Sequence, residues 1–133
     1  MFRRIDHVVI ATEDIDDAQR LWERNLGLRP DASLDRPLGS GFRVSRLPIG
    51  DAFLELVQPV AQEGRFYHEF QERGEGMFSL SLEVDDLDAA ISHLRGRGID
   101  VSDPEPGIWP GSRVARVKRQ HTHGVPLQLI ERG

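Results

Sequence analysis

Cysteine is absent from the 133 residues. Disulfides, thiolate zinc sites and thiol catalysis are thereby excluded, and any metal must be held by histidine, carboxylate or amide groups. No apolar run approaches the ~20 residues of a membrane-crossing helix, and the opening MFRRIDH leads its charges straight into a strand pattern with no hydrophobic signal core. A cytoplasmic chain with no membrane partner is the expectation. Walker, dinucleotide-binding and nucleophile motifs are also missing. Positive charge is not in excess: 17 Lys and Arg stand against 22 Asp and Glu, a net charge of -5. That argues against a nucleic-acid partner, whose binding is mostly phosphate neutralisation. What is present, 38% hydrophobic and 29% charged residues, suits one self-sufficient globular domain.

The chain repeats itself. His7 to Ala18 lies over Ser79 to Ala90 without a gap, 72 positions on, matching Asp14 with Asp86, Asp16 with Asp88 and Ala18 with Ala90. Later in each half, Phe53 to Gln58 lies over Pro126 to Glu131, 73 positions on. Each half reads strand, helix, then three strands. In the first, residues 5–12 alternate and Asp14 caps a helix carrying Ile15, Ala18, Trp22 and Leu26 on one face as far as Gly27. Strands near 29–35, 42–48 and 52–58 follow, the last two joined at Gly50-Asp51. In the second half the elements fall at 77–84, a helix from Leu87 to Gly96, then 99–103, 112–118 and 125–131. Residues 65–73 read as a linking helix that ends at Gly74, and the Pro-Gly-rich stretch 103–111 as a loop whose Trp109 lines a pocket mouth.

Side chains alternate across a strand. If Leu54, Leu56, Leu127 and Leu129 pack on the helices, Glu55 and Gln128 project from the opposite face. His7 and Ser79 form the equivalent pair on the first strands. The four make a candidate metal or acid-base site. Glu55 is the sharpest of them, because a carboxylate among Leu54, Leu56 and Val57 is costly unless paired, metal-bound or wet. A solvent-facing glutamate on an uncovered sheet, and a hydrogen-bonded core role for His7, remain open.

The segments DHVVIATEDIDDA (6–18), FLELVQP (53–59), FQERGEGM (70–77) with SLEVDDLDAA (81–90), and HGVPLQLIE (123–131) resemble the vicinal-oxygen-chelate superfamily. Within it they look most like methylmalonyl-CoA epimerases and glyoxalase I. The resemblance spans essentially the whole chain. It implies an α+β fold of two βαβββ modules in tandem forming a curved mixed sheet around a cleft: module one about 1–60, linker about 61–75, module two about 76–133. It also implies a divalent metal, zinc, nickel, cobalt or manganese, held at four positions that are here His7, Glu55, Ser79 and Gln128. Ser79 replaces a usual histidine and Gln128 a usual glutamate, so the metal set shrinks to His7, Glu55 and Gln128, and a neutral hydroxyl is a poor ligand. Loss of the second histidine disfavours Fe(II) dioxygenase chemistry. The epimerase base on the preceding strand is replaced, in a gapped alignment, by the region of Arg43, which offers charge to an anionic substrate or stands as an edge-strand arginine.

Two lesser clusters complete the survey. His121-Thr-His123 has the spacing of a metal pair or of a solvated loop, and Arg113, Arg116, Lys118 and Arg119 form a phosphate site or a solvated edge. The acidic run Glu13, Asp14, Asp16, Asp17 reads as helix capping. Two functions follow. The first is a metal-assisted isomerase or lyase, epimerase or lactoylglutathione lyase in type, acting on a small carbonyl compound with Glu55 as the catalytic group and Arg43, Phe53, Ser79 and Trp109 lining the substrate site. The second is a metal-free, drug-sequestering protein of the bleomycin-resistance kind that binds in the same place without catalysis. A homodimer is expected in either case.

Overall fold

The computed structural model describes residues 1–35 and 41–133. Among them the order is β1 (Phe2–Ala11), α1 (Ile15–Leu26), β2 (Ala32–Asp35), β3 (Phe42–Ile49), β4 (Ala52–Pro59), α2 (Arg65–Arg73), β5 (Gly76–Val84), α3 (Leu87–Gly96), β6 (Glu105–Pro106), β7 (Arg113–Val117) and β8 (Leu127–Glu131). This is the expected α+β repeat, with strands hydrogen-bonded in the order β2-β3-β4-β1-β5-β8-β7-β6. The β5–β8 pair is parallel, while β2–β3, β3–β4, β6–β7 and β7–β8 are antiparallel. Two compact units result: Val8–Phe78, and Ser79–Gly133 joined by Met1–His7. Among the described residues no helix is long and apolar enough to cross a membrane.

In the unit Val8–Phe78, Asp14 accepts the Asp16 and Asp17 amides at 3.0 and 3.1 Å, satisfying donors that a helix start leaves orphaned. Gly27, at φ 72, ends α1 with its N–H on the Glu23 carbonyl. Ile15, Leu47 and Leu56 are buried together, flanked by Ile10, Ala18, Trp22, Leu28 and Leu54. Leu26, expected on that face, is instead 65% exposed; Leu28, just past the glycine, packs there in its place. Gly50, at φ 60, sits at the first central position of the two-residue β3–β4 loop, where the right-handed twist of a hairpin favours glycine.

The other unit uses the same devices at repeat-equivalent places. Asp86 caps α3 through the Ala89 amide, and Glu131 accepts the Leu87 amide at 2.8 Å as Gln58 accepts that of Ile15 at 3.0 Å. Arg113 on β7 pairs with Asp88 as Arg43 on β3 pairs with Asp16. Each guanidinium holds its aspartate below the usual carboxylate range. The core is Val84, Leu87, Ala90, Ile91, Val101, Ala115, Val117 and Leu129. One sequence expectation is corrected here: residues 99–103 do not form a strand, since only Val101 bridges to Val117. The ladder resumes at Glu105–Pro106, inside the stretch read as loop. Pro106 is tolerated because β6 is the last strand of the order, where a missing N–H costs no ladder bond.

Ser45 is one place where the repeat is imperfect. It is fully buried and its hydroxyl has no hydrogen-bond partner, whereas the equivalent place on β7 holds Ala115. An unsatisfied buried hydroxyl costs about 1–3 kcal/mol. Ser45→Ala should therefore stabilise the chain by about 1 kcal/mol, seen as a higher urea midpoint at unchanged slope.

Candidate functional site

Packing of Leu54 with Ile15 and Leu56, and the Gln58 cap on α1, place those three side chains on the helix side of β4. Phe53, Glu55 and Val57 therefore line the other face, and Glu55 is only 2% exposed. Arg46 stands opposite Glu55 in the β3–β4 register, with its guanidinium 5.3 Å from the Phe53 ring centre and paired to Asp31 at 2.9 Å. Arg43 points the other way, between Asp16 and Asp35, at 3.2 and 2.9 Å. These bonds push its pKa up and engage it within its own unit.

His7 lies in the other unit and is nearly sealed, as are its neighbours Asp6 and Ser81. Asp6 Oδ2 is 2.7 Å from His7 Nδ1 and 2.6 Å from Arg132 Nη2, while Asp6 Oδ1 receives Arg132 Nε at 3.1 Å. Burial by itself would raise the Asp6 pKa. The bonds from His7 and Arg132, with their charges, outweigh it and hold the carboxyl well below its ordinary range. Beyond the ring, Ser81 Oγ lies 3.1 Å from His7 Nε2, and Gln128 Nε2 donates to Ser81 Oγ at 2.9 Å.

An ionised carboxylate only accepts, so His7 Nδ1 carries a hydrogen toward Asp6. Ser81 accepts from Gln128 and stands at hydrogen-bond distance from Nε2, to which it donates in the Nδ1–H tautomer of the ring. The contacts run from Gln128 through Ser81 and His7 to Asp6, and Arg132 closes the anionic end.

Sequence reasoning named His7 and Gln128 but missed Asp6, Ser81 and Arg132. Ser79, the repeat equivalent of His7, is partly buried one pleat away on the same face as Ser81. Trp109 is partly buried in the turn before β7, where its carbonyl accepts the Ser112 hydroxyl at 2.6 Å. Of the two loop histidines, His121 accepts the Asp100 amide on Nε2 at 3.1 Å. Arg113, Arg116 and Lys118 pair with Asp88, Glu105 and Asp100.

Within the unit that holds His7, the described side chains do not fit a divalent cation. Ser81 Oγ stands on His7 Nε2, Gln128 directs an N–H and not an oxygen at that serine, and Ser79, the repeat equivalent of His7, is a hydroxyl. Among the described residues no three His, Asp or Glu side chains gather so as to hold an ion.

Residues 6–115 match the family model described as "Glyoxalase/Bleomycin resistance protein/Dioxygenase superfamily", and the chain belongs to that family. It is 31% identical to an ethylmalonyl-CoA/methylmalonyl-CoA epimerase of Cereibacter sphaeroides over 81% of this chain and 81% of that protein. It is 23% identical to the mitochondrial methylmalonyl-CoA epimerase of Dictyostelium discoideum over 97% of this chain and 78% of the other. Among solved structures, the Streptomyces coelicolor methylmalonyl-CoA epimerase in complex with 2-nitronate-propionyl-CoA superposes with a TM-score of 0.90 at 25% identity, covering 100% of this chain and 96% of that one.

The depressed Asp6 pKa has a definite sign. A group whose pKa is lower folded than unfolded adds stability above its unfolded value, near 3.8, and loses it as pH falls toward the folded value. Asp6→Asn should cost about 2 kcal/mol at pH 7, where it removes charge-assisted bonds. The gap between variant and wild type in urea unfolding should shrink as pH drops below about 4. A gap independent of pH would contradict an ionised Asp6.

Proposed function

We propose that this chain is an epimerase-like enzyme that binds a small 2-substituted acyl thioester of the malonyl-CoA kind and moves the proton beside its carbonyl. The observation that carries this reading is Glu55, a carboxylate held out of water on the strand face away from α1. Support comes from the relatives, epimerases over most of their length. In the proposed step the Glu55 carboxylate takes the C2 proton, the electron pair of that C–H bond moves into the thioester carbonyl as an enolate, a water molecule delivers a proton to the opposite face and inverts the centre, and Glu55 returns its proton to the hydroxide so formed. Phe53, on the same face of β4 as Glu55, supplies apolar contact for the substrate; Ser79 and Trp109, expected from the sequence as substrate contacts, belong to the other unit. Arg43, held by Asp16 and Asp35 on the α1 side of the sheet, lies on the face opposite Glu55 and takes no part in this substrate site.

A second reading, binding without catalysis, is favoured by one observation: His7 already has its ring nitrogens engaged by Asp6 and Ser81. The two readings separate in deuterium oxide. Incubation with methylmalonyl-CoA, followed by proton NMR at C2, should show protein-dependent exchange, and Glu55→Gln should slow it at least ~100-fold while leaving binding by calorimetry within about threefold. Binding with no exchange would establish the second reading. Absence of both, for methylmalonyl-CoA and for the glutathione hemithioacetal of methylglyoxal, would sink the first. A homodimer is the proposed assembly, supported by Phe2 and Ile5, each at least half exposed on β1; sedimentation at micromolar concentration should return twice the chain mass.

A further inference from the structure

His7 Nε2 is the atom this histidine would offer a cation, and it is the atom Ser81 occupies at 3.1 Å. Ser81 is fully buried, so its hydroxyl cannot turn to water if displaced. Its oxygen is held from behind by Gln128 at 2.9 Å, and the far side of the imidazole is pinned by Asp6 at 2.7 Å. An entering ion would have to leave that hydroxyl proton without its acceptor, the unfavourable state for a buried polar group. The repeat shows that folding does not require a hydroxyl at this place. The equivalent of Ser81 in the first copy is Val9, also buried and on a strand of the same kind. The serine is polar only in the unit that holds the histidine.

We propose that Ser81 is a built-in cap on His7 Nε2 that takes the place of a metal ion, locking the imidazole in its neutral Nδ1–H tautomer and making the His7 site metal-independent. The cap stands whether or not the chain catalyses proton exchange, so its failure and that of the proposed reaction are separate outcomes.

The test is long-range ¹H–¹⁵N NMR of the histidine side chains in the full chain at pH 8, with zinc ion alone as titrant. His7 should show a protonated Nδ1 and an unprotonated Nε2, and its signals should not move at one equivalent of Zn²⁺, whatever the other four histidines do. Ser81→Ala removes the cap and should bind Zn²⁺ at His7 at least tenfold more tightly than wild type, while Ser81→Thr, which keeps a hydroxyl, should behave as wild type. The proposal is overturned by a protonated Nε2 in the wild-type protein, by His7 signals that shift with one zinc per chain, or by Ser81→Ala gaining no affinity. The wild-type tautomer decides the matter even if the alanine variant does not fold.

Discussion

The polar interior of one unit depends on a single buried negative charge. Asp6 is almost wholly removed from water, and an ionised carboxylate is tolerated there because Arg132 reaches it with two nitrogens, His7 with one, and the Arg4 guanidinium stands 3.7 Å away. The partners come from opposite ends of the chain, so the charge fastens residues close to the C-terminus to the first strand. It also dictates chemistry at a distance. Because Asp6 only accepts, His7 Nδ1 carries a hydrogen toward it, and Ser81 and Gln128 stand in series beyond the ring.

The two copies of the repeat share what folding needs and differ where polarity is placed. Both have an aspartate N-cap, an arginine on the penultimate strand paired to the first turn of the helix, and a side chain from the last strand on the first helical amide. These contacts join each helix to its strands. Departures fall on single positions: Ser45 against Ala115, Val9 against Ser81, Glu55 against Gln128. The first of these leaves a hydroxyl stranded. The second and third put a hydroxyl and an amide beside His7. A pseudo-symmetric fold can thus carry an asymmetric site, because two or three substitutions on inward positions leave the backbone contacts untouched.

Most of this architecture was legible because its signals are local. The caps at Asp14 and Asp86, the glycine stop at Gly27 and the alternation along β4 each name their element without help from the rest of the chain. The last turn of α1 was misread because Leu26 has the right period but lies beyond the reach of the core. The edge strand was misplaced for a different reason: Ile99 and Val101 look like strand residues, yet pairing at a sheet edge is settled by the neighbour, and β7 meets Glu105–Pro106. Within the site, His7 was visible as an imidazole in an apolar strand. Asp6 gave no signal, because neighbours on a strand point to opposite faces, although a short carboxylate can still curl back to the adjacent ring. Ser81 was missed because the repeat directs attention to Ser79. The usable signal was a second serine, two residues on, in a strand that is otherwise apolar on both sides of it.

The amide at position 128 follows from the same proton logic. Gln128 presents an N–H to Ser81, which frees the serine hydroxyl to donate to His7. A glutamate there would be a second acceptor, competing with Nε2 for one serine proton. The amide at 128 and the serine at 81 are complementary, donor to acceptor, and the serine hydroxyl is thereby left to face His7.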